Sequence, residues 1–159
     1  MSMAVDLTRG TRPQGGGAST VAERLFETPV EDAQMFSHVM VGTNDLDRAK
    51  SFYDAVLGTI GVPPGRVDRH RVFYMTKTGV FAVSLPIDGE PATVANGATL
   101  GFACSTPAEA DAFHAAGVAN GGVPIEDPPG VREGPTGQLY LAYVRDPDGN
   151  KLCALHRVQ

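Results

Sequence analysis

The sequence predicts an α+β fold in which two tandem βαβββ modules form a cupped mixed sheet around a shared cleft. Two observations predict it. Short segments rich in Val, Phe and Tyr, typical of strands, alternate with two amphipathic helical segments. In addition, the strand–helix unit that begins near His38 recurs in the second half of the chain, beginning near Thr99. A half-sheet with one apolar face cannot cover that face alone, so the two modules are expected to pair.

Length and composition describe a globular chain and exclude several classes of protein. The 159 residues are 42% hydrophobic and 19% charged, which is typical of one domain. The formal net charge of −5 argues against nucleic acid and against an anionic membrane as partners. Two cysteines are too few for a disulfide scaffold, and there is neither a transmembrane apolar run nor the apolar core of a secretory signal. We therefore expect a cytoplasmic protein.

The N-terminal segment, residues 1–34, differs in composition from the rest of the chain. The run Gly15-Gly16-Gly17 lies among polar residues, and Ser19 or Thr20 can cap a short helix that ends near Glu27. We expect residues 1–34 to form a flexible or weakly helical N-terminal extension. Residues 35–159 form the predicted domain, with its two modules at about 35–90 and 97–157.

The first predicted module begins with an alternating segment, residues 36–42, that indicates a strand. Asp45 can cap the helix that follows, and apolar residues recur at helical spacing as far as Gly58. A basic stretch containing Arg66, Arg69 and Arg71 is expected to form a loop. Two further strands are predicted over residues 72–76 and 80–85.

The second predicted module repeats this order. A strand is predicted over residues 99–103, and Thr106 or Ser105, followed by Pro107, favours a helix start. Gly121-Gly122 ends that helix, and residues 124–137 are expected to form a long loop. Strands are predicted over residues 138–145 and 150–156, joined by the turn Asp146-Pro147-Asp148-Gly149.

The internal repeat aligns the two modules residue by residue. When the chain is aligned with itself so that Phe52 lies over Phe113, the two predicted helices, the glycines at their ends and the prolines that follow also align. The strand before each helix aligns too, with His38 over Thr99. Because the second loop is longer, the predicted shift is larger at the far end, where Gly79 meets Gly149 and Leu85 meets Leu155.

Several segments carry a resemblance to a known superfamily. They are Phe36-Ser37-His38-Val39, the helix start Asp45-Leu46-Asp47-Arg48-Ala49 with Phe52-Tyr53, Ala98-Thr99-Leu100-Gly101-Phe102, and Val144-Arg145-Asp146-Pro147-Asp148-Gly149-Asn150. Together they resemble the vicinal oxygen chelate superfamily, which contains glyoxalase I, bleomycin-resistance proteins, fosfomycin-resistance enzymes and extradiol dioxygenases. The resemblance covers about residues 35–157 and implies paired βαβββ modules.

The resemblance also implies where a divalent metal would be held. Enzymes of the family take His, Glu or Gln ligands from the first and last strands of each module. The corresponding positions here, and the predicted ligand-binding residues, are His38, about Val83, Thr99 and Cys153. Val83 cannot ligate and Thr99 offers only a neutral hydroxyl, so His38 and Cys153 are left, one ligand short of an ordinary catalytic site. We expect either no cofactor or an unidentified divalent metal.

His38 is also the candidate catalytic residue, because histidine is the usual proton carrier near neutral pH. Its alternative role is that of a strand histidine hydrogen-bonded at the cleft floor. Cys153 would act as a nucleophile only with His38 beside it as a base. Without a bulge or register shift, His156 is not expected to join Cys153 in a metal site, since residues three apart on a strand point to opposite faces. The arginines around Arg69 either bind an anionic group or form a solvated loop.

Three functional hypotheses follow. The first is a glyoxalase/bleomycin-resistance-like protein that binds a small organic molecule in the cleft between its modules, without the usual divalent metal. The alternative is a divalent-metal-dependent lyase or dioxygenase of the same superfamily that uses His38. The third is an inactive relative that acts by dimerisation through exposed sheet edges. The expected partners are a small-molecule ligand and a second copy in a homodimer, with no nucleic acid and no membrane.

Overall fold

The structure, a computed structural model, describes residues 35–135 and 137–158, which fold as two modules of the βαβββ type, the second with one additional strand. The extension predicted over residues 1–34 lies outside the described residues. The first module contains β1 (His38–Gly42), α1 (Leu46–Gly58), β2 (Arg66–Asp68), β3 (Arg71–Thr76) and β4 (Gly79–Ser84). The second contains β5 (Leu100–Ala103), α2 (Pro107–Ala119), β6 (Val123–Pro124), β7 (Gly130–Gly134), β8 (Gly137–Arg145) and β9 (Lys151–Arg157).

Each module forms its own mixed sheet. In the first sheet the strand order is β1-β4-β3-β2, with β1 parallel to β4 and the other pairs antiparallel. In the second the order is β5-β9-β8-β6, with β5 parallel to β9, and β7 also pairs with β8. The α+β class, the tandem modules and the mixed sheets predicted from the sequence are confirmed.

Two segments that were expected to be loops form strands instead. Residues 124–137 contain β7, which pairs with β8 and places Val131 opposite Tyr140. The basic stretch contains β2, which pairs with β3, and Arg69 makes the tight turn between them with a φ of 55°. Both segments are rich in glycine, proline and charged residues, which have low strand propensity, so the sequence did not indicate strands there. The strands form because hydrogen bonds to a neighbouring strand outweigh this weak intrinsic propensity.

Both helices begin where the sequence predicts. Asp45 caps α1, its Oδ1 accepting a hydrogen bond from the backbone N–H of Arg48 at 2.9 Å. Thr106 caps α2 in the same way for Glu109 at 3.1 Å, and the Glu109 carboxylate accepts from the backbone of Ser105 in return. Neither helix of this part of the chain is long and apolar enough to cross a membrane.

One hydrophobic core joins the two modules. Gly117 lets α2 approach β8 closely, since an added Cβ there would lie 3.1 Å from a methyl group of Val144. The two sheets contribute their helix-covered faces to the same core, so the modules are packed parts of one unit. The core residues are Ala49, Phe52, Tyr53, Val56 and Leu57 of α1, Ala110 and Phe113 of α2, Val72, Tyr74 and Val83 of the first sheet, Ala142, Val144, Leu152 and Ala154 of the second, and Cys104 after β5.

The turn between β8 and β9 fastens the second module to the first. The Asp148 carboxylate accepts hydrogen bonds from the Thr43 hydroxyl at 2.6 Å and from the Arg48 guanidinium at 3.0 Å. The Asp146 carboxylate accepts from the hydroxyl of Tyr53 on α1 at 2.7 Å. These contacts fix how β1 and α1 lie against the second sheet, and therefore fix the gap between the modules.

Candidate functional site

A cavity of about 580 Å³ lies between the two modules. Four aromatic residues line it: Tyr74 and Phe81 from the first sheet and Phe102 from β5 form its walls, and Phe36 precedes β1. The rings of Phe81 and Phe102 meet edge to face with their centroids 5.5 Å apart, which joins the modules at this point. The cavity lies beside β1 and β5, which are the edge strands of their respective sheets.

The mouth of the cavity is polar. Its hydroxyl and imidazole groups belong to Ser37, His38, Thr76, Thr78 and Thr99. Ser37 Oγ lies 2.9 Å from Nδ1 of His38, and the hydroxyls of Thr76 and Thr78 lie 3.1 Å apart. Within the described part of the chain, Nε2 of His38 has no hydrogen-bond partner, so it is free to contact a bound molecule.

Strand alternation explains why His38 is accessible. On β1 the side chains of Val39 and Val41 turn toward the helices, so His38 and Met40 project from the other face. His38 lies opposite Val80 in the parallel ladder to β4, near the end of the strand, and it is exposed. Its position at the end of an edge strand brings it to the mouth of the cavity.

The structure brings together two of the four predicted ligand-binding residues. His38 and Thr99, aligned by the internal repeat, both line the cavity. Val83 instead lies in the hydrophobic core with no exposed surface, and Cys153 lies on β9 outside the cavity lining. The predicted set of four therefore does not form one site within the described residues.

The pairing register explains where Val83 lies. Thr43 N–H donates to the carbonyl of Ser84, and Cys104, which the repeat aligns with Thr43, donates its N–H to the carbonyl of Leu155. Leu155 is thus the counterpart of Ser84, whereas the sequence alignment had placed it over Leu85. A shift of one residue moves a side chain to the opposite face of a sheet. The equivalent of Cys153 is consequently Ala82 and not Val83.

Cys153 is poorly suited to ligate a metal or to act as a nucleophile. Its side chain is only 4% exposed, and burial raises the pKa of its thiol, although a hydrogen bond with Tyr143 partly opposes this. The thiolate, which is the metal-binding and nucleophilic form, is therefore disfavoured. His156 lies on the other face of β9, where Nδ1 is 3.1 Å from the carbonyl oxygen of Cys104. The expectation that residues 153 and 156 point apart is confirmed.

The donor set around the cavity does not fit the divalent metal that the family resemblance implies. His38 is an ordinary metal ligand, but Thr99 is a neutral hydroxyl and Ala82 has no donor atom. Across residues 35–135 and 137–158, no group of three or more His, Cys, Asp or Glu side chains lies close enough together to hold an ion. A ligand set of one histidine falls short of the three protein ligands that a catalytic site uses.

Sequence reasoning did not single out two residues that line the cavity. Phe81 and Phe102 were recognised only as strand residues, yet they form its aromatic walls. No pattern distinguishes an aromatic side chain that fills a core from one that borders a cavity, because both occupy inward positions on a strand. None of the three arginines of the basic stretch, Arg66, Arg69 and Arg71, lines the cavity.

Comparison with known proteins decides the family. The model of the Glyoxalase/Bleomycin resistance protein/Dioxygenase superfamily matches residues 35–154. The chain belongs to this superfamily. No match was found among curated protein sequences.

Solved structures of this superfamily share the fold. A glyoxalase/bleomycin resistance protein from Albidiferax ferrireducens T118 is 62% identical, with a TM-score of 0.76, over 77% of this chain and 99% of that one. A glyoxalase-related enzyme from Fulvimarina pelagi is 22% identical, with a TM-score of 0.59, over 79% and 89%. A lactoylglutathione lyase from Agrobacterium tumefaciens is 22% identical, with a TM-score of 0.56, over 79% and 96%. The two more distant structures support the fold alone.

Proposed function

We propose that this superfamily member binds a small organic molecule in the cavity between its modules, and that it does so without the usual divalent metal. The observation that carries this proposal is the cavity of about 580 Å³, which combines aromatic walls with a polar mouth. A volume between about 300 and 1,000 Å³ is typical of sites for small molecules.

The residues at the family's ligand positions support binding without metal. His38 is the one strong donor at those positions, since Thr99 is a hydroxyl and Ala82 is a hydrocarbon. Cys153 is buried on β9, and its raised thiol pKa disfavours the form that binds metal. A divalent ion at His38 would lack the further charged ligands that offset the loss of its hydration shell.

Metal content tests this proposal. The protein, purified without added metal or chelator, would be incubated with manganese, iron, nickel or zinc and then desalted before elemental mass spectrometry. We expect less than about 0.1 equivalent of any ion, because one histidine holds metal weakly. The His38→Ala variant, treated identically, is the control. About one equivalent of metal in the wild type that is lost in His38→Ala would contradict metal-free binding.

The second candidate function is that of a metal-dependent lyase or dioxygenase that uses His38. The contact between Ser37 Oγ and Nδ1 of His38 favours it, because an oriented ring whose Nε2 has no partner among the described residues suits proton transfer or ligation. Its test is turnover of the methylglyoxal–glutathione hemithioacetal and of catechol with each of these metals. Turnover that His38→Ala abolishes and Ser37→Ala weakens would support an enzyme. No turnover under any condition would count against it.

The proposal extends to a homodimer formed through the face of the first sheet that lacks helices. Met40 and Met75 project from this face and are 40% and 50% exposed. Apolar side chains on an uncovered sheet face favour association with a second copy. Sedimentation velocity should give a dimer that Met75→Lys dissociates, whereas Val118→Lys on α2 leaves it intact. A monomeric wild type would contradict the homodimer.

A cytoplasmic location is also part of the proposal. Cys104 and Cys153 are both free thiols, which is usual in a reducing compartment. Fractionation of the native host, with detection by an antibody against the purified protein, tests it. Recovery in an oxidising compartment would contradict the location.

A further inference from the structure

We infer that the occupant of the cavity is an uncharged aromatic molecule that presents one hydrogen-bonding group to the mouth. This inference rests on the proposed small-molecule function and specifies its ligand class. Three features of the cavity carry it: a lining without charged side chains, aromatic walls, and polar groups confined to one end.

The lining of the cavity contains no Lys, Arg, Asp or Glu side chain among the described residues. The hydroxyl of Tyr74 is already used, since it donates to the Asp54 carboxylate at 3.0 Å and lies 3.3 Å from the carbonyl oxygen of Lys50. A charged ligand would therefore lose its hydration without gaining a permanently charged partner. Burial of an unpaired charge costs several kcal/mol, so charged ligands should bind much more weakly than neutral ones.

The walls favour a flat ring over an aliphatic chain. Phe81 is the centre of an aromatic row, with its centroid 6.0 Å from that of Tyr74 and 5.5 Å from that of Phe102. Leu57 and Ile60 add aliphatic surface. An aromatic ligand can place its edges or faces against these rings, which contributes stabilisation beyond the burial of apolar area.

The polar groups of the cavity are gathered at one end. His38 begins β1, Thr99 lies immediately before β5, and Thr76 and Thr78 come from the hairpin between β3 and β4. Hydroxyl groups can donate or accept, and so can a neutral imidazole. This set suits one hydroxyl, amine or carbonyl of a ligand whose remaining surface is apolar.

Two fluorescent probes that differ by one charged group test this inference. N-phenyl-1-naphthylamine is neutral, and 8-anilinonaphthalene-1-sulfonate has the same aromatic framework with an added sulfonate. Each would be titrated into the full-length folded protein. We expect saturable binding of the neutral probe, and binding of the sulfonate that is at least about tenfold weaker because its charge has no permanently charged partner in the cavity.

Matched variants locate the binding. Phe102→Leu removes one aromatic wall and should weaken binding of the neutral probe by about threefold to tenfold. Phe73→Leu is the control, because Phe73 lies on β3 opposite Ala82, on the face away from the cavity. Phe81→Leu is a second variant, because it removes the ring at the centre of the aromatic row. Circular dichroism and thermal melting would confirm that each variant is folded.

The outcomes separate the inference from the function on which it rests. Equal or tighter binding of the sulfonate would overturn the neutral ligand class but leave the small-molecule proposal standing. Failure of both probes to bind would overturn the proposed function as well. Neutral-probe binding that Phe102→Leu and Phe81→Leu leave unchanged, but that Phe73→Leu weakens, would overturn the assignment to this cavity.

Discussion

The hydroxyl of Tyr53 on α1 donates a 2.7 Å hydrogen bond to Oδ2 of Asp146 in the turn between β8 and β9. Both residues are buried, at 0% and 3% exposed. The Asp146 carboxylate also accepts from the backbone N–H groups of Asp148 and Asn150, so one side chain organises the turn and holds the helix of the other module. Burial and the neighbouring Asp146 raise the pKa of Tyr53, which keeps its hydroxyl protonated as the donor.

Loss of this hydroxyl should destabilise the protein. In Tyr53→Phe, the buried carboxylate of Asp146 loses one donor, and we expect the free energy of unfolding to fall by about 1.5–3 kcal/mol. Urea denaturation followed by circular dichroism measures it. Tyr140→Phe is the matched control, because it removes a 2.8 Å hydrogen bond to the exposed Asp111 and should cost less than about 1 kcal/mol. Equal losses in the two variants would contradict the role of Tyr53.

Two glycines should respond in opposite ways to replacement by alanine. A Cβ at Gly65 would lie 2.4 Å from Val72 Cγ1 and 2.6 Å from Tyr74 Cζ, so Gly65→Ala should lower stability by about 1–3 kcal/mol. Gly58 ends α1 with nothing within 4 Å of an added Cβ, so Gly58→Ala should raise stability by up to about 1 kcal/mol. Urea denaturation compares them, and a neutral Gly65→Ala would contradict the close packing.

The Asp54 carboxylate should make stability depend on acid pH. Burial acts to raise the pKa of Asp54, but hydrogen bonds from Lys50, from the backbone of Gly65 and from Tyr74 outweigh it and hold the pKa below its usual 3.8. Because the folded pKa is lower than the unfolded one, this stabilisation is present above about pH 4 and is lost as the pH falls through the folded pKa.

Asp54→Asn isolates that contribution. At pH 7 the variant should be less stable than the wild type by about 1–3 kcal/mol, and the difference should shrink as the pH is lowered from 5 to about 2. Urea denaturation at several pH values measures the difference in unfolding free energy. A difference that stays constant over this range would show that the charge of Asp54 contributes nothing.

Both cysteines should be unreactive in the native protein. Burial, with a smaller effect from Glu109, raises the pKa of Cys104 to about 11, and burial raises the pKa of Cys153. At pH 8 a thiol reagent such as Ellman's reagent should modify neither residue within minutes, but both thiols should react in guanidinium chloride. Rapid modification of one thiol in the native wild type, absent from Cys153→Ala, would indicate an accessible thiolate at Cys153.

The two helices and the two-module organisation could be predicted from the sequence because the patterns that indicate them are local. Asp45 and Thr106 are side-chain caps, and each stands immediately before an apolar stripe at helical spacing. The same local alignment paired His38 with Thr99, and both residues line the cavity. Features set within one strand–helix unit could therefore be predicted.

Features set by pairing between distant strands could not be predicted. Ser84 and Leu155 occupy equivalent positions in the two modules, and this equivalence depends on loop lengths. The sequence alignment was wrong by one residue at this point, so it placed Val83 on the sheet face that Ala82 occupies. The aromatic contact between Phe81 and Phe102 joins strands of different modules, so no local sequence pattern predicts it.

Metal independence of binding in the cavity is the central claim, and a single titration tests it most directly. N-phenyl-1-naphthylamine would be titrated into protein dialysed against EDTA, and into the same protein supplied with manganese, nickel or zinc. We expect dissociation constants equal within about twofold, and weaker binding to Phe102→Leu in every condition. Binding that EDTA abolishes and one metal restores would contradict the claim and support the metal-dependent enzyme.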